Sequence, residues 1–231
     1  PGGAAATITS ALEKTGLALS GLSMSNNFNQ GDPAQMAEQV DAVKRWLAVA
    51  AEVKAPVSRI FGGHIEDRSD PKAIETGLVR ITDGLKQVVG EAEKLGVVLA
   101  LENHGGLPCT GEEQVNVIES FDSPSLKATV DVGNYMGCGQ EGHVGTALAA
   151  RLAAYVHFKD NKKGPAVKPG MPWSSKSCTV GEGDVDLPAC LEALKKAGYD
   201  GFVALEYEGP EDERTGVRKS VEYMKKVMQG Y

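Results

Sequence analysis

The sequence predicts an α/β fold of the (β/α)8 TIM barrel type, with the first two β/α units missing from this chain. Three observations carry that expectation. Strand-like and helix-like segments alternate along the 231 residues, which implies parallel strands joined by right-handed crossovers. No GxGxxG follows a strand, and "GEGDVD" comes after a loop, so a dinucleotide-binding sheet has little support. Strand signals begin near residues 17, 57, 97, 127, 155 and 201, six where such a barrel needs eight. The chain opens in what reads as the tail of a helix, so the simplest account is that two units were removed, lost or never included. A natural six-unit variant would have to cover two exposed parallel edges. Residues 1–231 are read as one domain.

The elements follow in order. "ITSALEKTG" ends a helix at Gly16, and "LALSGLSMS" reads as a strand. Asp32 is placed to cap the next helix with Pro33 in its first position, and Met36, Val40, Val43, Leu47 and Ala50 form its apolar stripe. After the strand "PVSRIFGG", Asp70 and Pro71 open a helix with the stripe Ile74, Leu78, Ile81, Leu85, Val88, Ala92 and Leu95, closed by Gly96. The strand "VVLALE" leads to a helix around 112–121, the strand "LKATVDVGN", a helix around 143–153 and the strand "AAYVHFKD". A long loop, the helix "LPACLEALKKAG", the strand "GFVALEYEG" and a helix ending near Met228 complete the chain.

Chemistry gathers at the strand ends. Four successive strands finish with a metal-capable side chain: Glu102, Asp131, His157 and Glu206. Alternation puts Ala100 with Glu102 and His104, Thr129 with Asp131, Tyr155 with His157 and Lys159, and Ala204 with Glu206 and Glu208. Leu99, Leu101, Val130, Val132, Val156, Phe158, Val203 and Leu205 fall on the other face, to pack under the helices. Barrel enzymes work at the carboxyl ends of their strands. Three carboxylates and an imidazole converging there would repel one another and lose solvation unless a cation held them. Oxygen-rich coordination with one His suits Mn²⁺ or Mg²⁺, with Co²⁺ or Zn²⁺ also admissible. Each residue alone reads as a cap or a core residue; the four in order do not.

"LALENHGG", "ATVDVGN", "YVHFKDN", "GEGDVD" and "GYDGFVALE", in this order, resemble the xylose-isomerase-like TIM-barrel family of sugar phosphate isomerases and epimerases, inosose dehydratases and related enzymes. The resemblance covers roughly residues 17 to 228. It implies that Glu102, Asp131, His157 and Glu206 bind one divalent cation, that Glu102 and Glu206 double as acid and base, and that Asn134 and Lys159 contact substrate. The departure is the absent pair of strands, which in that family help close the substrate end.

Other candidates stand beside these. His64 follows two glycines that would let a ligand approach the backbone, and is read as substrate-binding or as a loop histidine. His104 shares the inward face with Glu102 and is a candidate second acid or base. Arg59 is placed to hold a substrate oxyanion or an ion pair beneath the site, and His143 is expected in solvent. Residues 161–180 are long for a barrel loop and read as a lid, in which Trp173 would stack on a sugar or pack the loop.

A net charge of −7 with no basic stripe argues against nucleic acid, and no apolar run reaches membrane-spanning length. Cys109, Cys138, Cys178 and Cys190 form no CxxC pair and are expected as free thiols in a reducing cytoplasm. "PGGAAAT" leaves an exported form open, and homo-oligomerisation stays open too. The expected activity is that of a metal-dependent isomerase or epimerase acting on a ketose, sugar phosphate or cyclitol through an enediolate. A dehydratase of a keto-sugar or inosose is the alternative; an abasic-site endonuclease and a non-catalytic binding module are further ones.

Overall fold

A computed structural model describes residues 2–168 and 170–230. Six strands form one all-parallel sheet in the order β1 (Leu22–Ser23), β2 (Ser58–Phe61), β4 (Leu99–Glu102), β6 (Leu126–Asp131), β7 (Ala153–Phe158) and β10 (Val203–Leu205). Helices α1 (Ala4–Thr15), α2 (Pro33–Glu52), α3 (Pro71–Lys86), α4 (Val89–Leu95), α5 (Gly111–Glu119), α6 (Gly142–Ala149), α7 (Leu187–Lys196) and α8 (Glu213–Val227) alternate with them. The barrel-type architecture is therefore as expected. Among the described residues no helix is long and apolar enough to cross a membrane.

Local chemistry sets the helix boundaries. Asp32 and Asp70 each accept from the backbone N–H two residues on, with Pro33 and Pro71 in the first turn. Thr110 and Glu113 form a reciprocal capping box at the start of α5. The single helix expected between Pro71 and Gly96 is two, because the N–H groups of Gln87 and Val88 bond three residues back and tighten the backbone there. That turn keeps Val88, Val89 and Ala92 in the core.

The alternation of faces holds. Leu99, Leu101, Val130, Val132, Val156 and Phe158 lie in the main core under the helices, while Val57, Ala100 and Tyr155 form a separate small cluster on the concave face. Small inward residues leave room above them for the long polar side chains at the strand ends.

Other features also differ from expectation. The strand expected over 17–25 shrinks to Leu22–Ser23, an edge strand bonded to one neighbour. The Gly62–Gly63 pair serves chain packing: a Cβ on Gly62 would sit 2.6 Å from the Leu107 carbonyl oxygen, and one on Gly63 2.6 Å from Asn29 Cβ. Beside them β3 (Gly63–His64) pairs antiparallel with β5 (Gly106–Leu107). Much of the expected long loop is a hairpin, β8 (Asp160–Gly164) against β9 (Ser174–Cys178). Lastly, Cys109 and Cys138 are disulfide-bonded rather than free. They occupy turns that follow the neighbouring strands β4 and β6, which brings their Cα atoms to 6.0 Å across 29 residues of sequence.

Cys178 and Cys190 are free and buried, and burial pushes their thiols up to about 11 and about 12. Thiolate is the reactive form. Iodoacetamide at about pH 8 should therefore label no cysteine in the native protein, two after mild reduction (Cys109 and Cys138), and all four when the reduced chain is unfolded. Peptide mass spectrometry reads the sites; labelling of Cys109 before reduction would contradict the bonded pair.

Candidate active site

The sheet register assembles the site. Phe61 pairs with Glu102 and Asp131 with His157, while Glu102 pairs with Thr129 and His157 with Ala204, so Asp131 and His157 stand level and Glu102 and Glu206 are each offset from that pair by two residues. The Glu206 N–H, one residue past β10, donates to the Phe158 carbonyl at 2.9 Å, extending that ladder by a rung. Glu102, Asp131, His157 and Glu206 consequently offer one ligand atom each, all within 4.8 Å of one another. The first three are buried; the Glu206 side chain is 31% exposed and forms the open side.

Side-chain amides brace the strand ends where the backbone ladder runs out. The Asn103 amide donates to the Asp131 carbonyl and accepts from the Asp131 N–H, both at 2.9 Å. Asn26 does the same for Phe61 at 2.7 and 2.9 Å. The Gln114 amide, fully buried, donates to the carbonyls of Leu101 and Thr129 and accepts from the Tyr135 hydroxyl. Asp160 takes four backbone N–H groups, those of Asn161, Gly181, Gly183 and Val185, and so folds "GEGDVD" against the barrel. Sequence reading missed these braces; the available signal was a polar residue at a strand end on the helix-facing side, as at Asn103.

Electrostatics inside the cluster is strained by like charge. His157 Nδ1 lies 3.2 Å from Glu102 Oε1 and 3.2 Å from Glu206 Oε1. Burial opposes its charge, but the two carboxylates outweigh burial and raise the imidazole to about 9. Burial, reinforced by Glu102 and Glu206, pushes Asp131 up to about 7 against the pull of Lys159. For Glu206, burial is outweighed by His157 and Lys159, which hold it well below the usual carboxylate range. Lys159 is likewise raised: Asp131 and Glu206 overcome its burial.

The donor set fits a divalent cation. Glu102 Oε2 and Asp131 Oδ2 are buried without a hydrogen-bond donor, a costly condition for an oxyanion. Arg59 Nε lies 3.2 Å from Glu102 Oε2 as an ion pair, its Nη1 donates to the Met24 carbonyl and its guanidinium lies over Phe61. Of its two expected roles, the ion pair beneath the site is the one observed. Three carboxylates and one imidazole with no thiolate are hard and borderline ligands, suited to the cations expected from the sequence.

The other candidates divide. Asn134 bridges the cluster: its amide donates weakly to Glu102 Oε1 at 3.5 Å and accepts from Lys159 Nζ at 3.3 Å. His104 stacks on Phe61 with centroids 4.2 Å apart, and burial lowers its pKa. His64 is exposed on β3, and Trp173 donates to the Met136 carbonyl with Lys163 over its ring. Among the described residues neither shares a hydrogen bond or ion pair with the cluster. His143, expected in solvent, is half-buried with Nδ1 lacking a partner, in a cavity of about 450 Å³ between α6 and α7.

Residues 2–227 match the model of a family described as xylose isomerase-like TIM barrel. The chain belongs to this family. Its relatives include an L-ribulose-5-phosphate 3-epimerase from Escherichia coli O1:K1 / APEC, 26% identical over 228 residues that cover 96% of this chain and 76% of that protein. Among solved structures, a D-tagatose 3-epimerase-like protein superposes with a TM-score of 0.77 at 20% identity, covering 97% of this chain and 82% of that one. The IOLI protein with a bound zinc atom superposes with a TM-score of 0.73 at 19% identity, covering 91% and 77%. At such identities the structural likeness speaks to the xylose isomerase-like fold alone.

Cation binding in the folded state only should stabilise the protein. At about 100 times Kd the gain is about 2.7 kcal/mol, or roughly 5–10 °C in Tm for a chain of this size. Scanning calorimetry with Mn²⁺ and with chelator checks this; coincident melting curves would remove the four-ligand assignment.

Proposed function

We propose that this xylose isomerase-like chain is a divalent-metal-dependent sugar epimerase or isomerase acting on a ketose, a ketose phosphate or a cyclitol ketone. The observation that carries the reading is that two carboxylates from different strands, Glu102 and Glu206, each bring an oxygen to 3.2 Å from His157 Nδ1. They come from β4 and the end of β10, two strands apart from each other across β6 and β7. Epimerisation beside a carbonyl needs this: one group to take a proton from one face of a carbon and another to return it to the opposite face. The similarity to a protein named L-ribulose-5-phosphate 3-epimerase supports the same reaction class.

Glu102, Asp131, His157 and Glu206 would hold the cation, Mn²⁺ or Mg²⁺ in preference to Co²⁺ or Zn²⁺. When bound it supplies the positive charge that stabilises an enediolate. The protein's own groups do the rest. Glu206, the partly exposed member, takes the proton from the carbon beside the carbonyl, and Glu102 on the buried side returns one. Lys159 and Asn134 donate to substrate oxygens. His104, stacked on Phe61, adds a donor or acceptor for a hydroxyl. The β8–β9 hairpin, with Trp173 pinned to Met136, shields the mouth from water.

Two outcomes test the reading. Glu102→Gln and Glu206→Gln keep shape and an oxygen ligand but remove a base, so each should lower turnover about 10²–10⁴-fold. Exchange of substrate C–H for solvent deuterium, followed by NMR on a panel of ketoses and their phosphates, reads the step directly. Exchange at the parent rate in either variant would refute the role of that glutamate. Lys159→Met should lower kcat/KM about 10–100-fold, as expected for a lost charged hydrogen bond, without weakening Mn²⁺ binding measured by calorimetry. Loss of the metal in that variant would mean that Lys159 supports the ligands rather than the substrate.

A further inference from the structure

We propose that Glu208 is a positioning residue: it retains the Lys159 ammonium when a divalent cation takes Asp131 and Glu206. The inference rests on the four-residue cluster being a cation site. Lys159 Nζ lies 2.8 Å from Glu206 Oε2, 3.2 Å from Glu208 Oε1 and 3.5 Å from Asp131 Oδ2. Two of these three carboxylates belong to the cluster; Glu208 does not. The ammonium therefore supplies part of the positive charge that a bound cation would bring. Cation and ammonium compete for the same oxygens and repel each other once both are near.

Lys159 is 2% exposed, so its ammonium has little access to water as an alternative partner. Its remaining neighbour is the neutral amide oxygen of Asn134 at 3.3 Å. A buried ammonium stripped of counter-charge is costly, which leaves Glu208 as the group able to hold it. Glu208 suits the task. It follows Glu206 by two residues on the same inward face, and its side chain is 55% exposed. Its second oxygen accepts from Ser177 Oγ on β9 at 3.4 Å. Cation uptake thus shifts Lys159 from the cluster toward the hairpin side of the mouth, where a substrate oxygen arrives.

The test is a double-mutant cycle on Mn²⁺ affinity, measured by calorimetry without sugar. In Glu208→Gln the ammonium is left to Asp131 and Glu206, so Mn²⁺ should bind roughly two- to fivefold more weakly, the scale of one partly exposed ion pair. In the Lys159→Met background the same change should leave Mn²⁺ affinity unaltered, because no ammonium remains to park. Equal affinity of Glu208→Gln and the parent overturns the inference, and so does an equal loss in both backgrounds, which would mark simple long-range attraction by the Glu208 charge. No binding of Mn²⁺ by the parent overturns the cation site and this inference together. Binding without sugar turnover overturns the epimerase reading alone.

Discussion

The mutual repulsion of carboxylates at the ends of β4, β6 and β10 governs the rest of this structure. Glu102 and Asp131 are wholly buried, and Glu206 joins them from the partly exposed side. Such a cluster persists only if positive charge is delivered to it, and the fold delivers it through three side chains. Arg59 comes from β2, His157 from β7 and Lys159 from the residue that follows β7. The site is thus held by a balance of charge that can be redistributed among these groups. Burial supplies the stakes, because it removes water as the easy alternative partner.

Precision is a separate matter, and it is supplied by neutral groups. The four clustered side chains stand where the strands end and the backbone ladder runs out. Asn26 and Asn103 each place a side-chain amide against the backbone of the neighbouring strand's last residue, mimicking one more rung. Gln114 spans β4 and β6 from below, and Asn161 donates to the Gly133 carbonyl while Gly133 N–H donates to Asp131 Oδ1. Amides carry no charge, so they fix geometry without altering the electrostatic balance. Charged groups set the energy and amides set the position.

What could be read from the sequence, and what could not, follows the same division. Alternation of faces along "LALE", "ATVD", "YVHF" and "VALE" places Glu102, Asp131, His157 and Glu206 on one face at the carboxyl edge of the sheet, because period-two geometry is local and the strands of a parallel sheet all run the same way. Helix starts at Asp32 and Asp70 are legible for the same reason. The break at Gln87–Val88, the β8–β9 hairpin and the β3–β5 pair are not: the break is a local tightening within a continuous apolar stripe, and the two pairs depend on contacts between segments apart in sequence. Leu107 against Gly62, and Pro172 against Gly139, are examples. The Cys109–Cys138 bond belongs with these: spacing along the chain carries no hint of it, whereas the adjacency of β4 and β6 makes it natural.

That bond closes a covalent ring through the polypeptide. The ring spans 29 positions of sequence and contains all of α5, all of β6 and the turn bearing Asn134. Tethering a ring of this length restricts the unfolded chain by an entropy worth roughly 3–4 kcal/mol. The oxidised chain therefore carries part of its tertiary map in covalent form: the ends of β4 and β6 remain neighbours even when every hydrogen bond between them is broken. Of the four clustered side chains, Asp131 lies inside that ring, Glu102 stands a few residues outside it, and His157 and Glu206 are left to find it by folding alone.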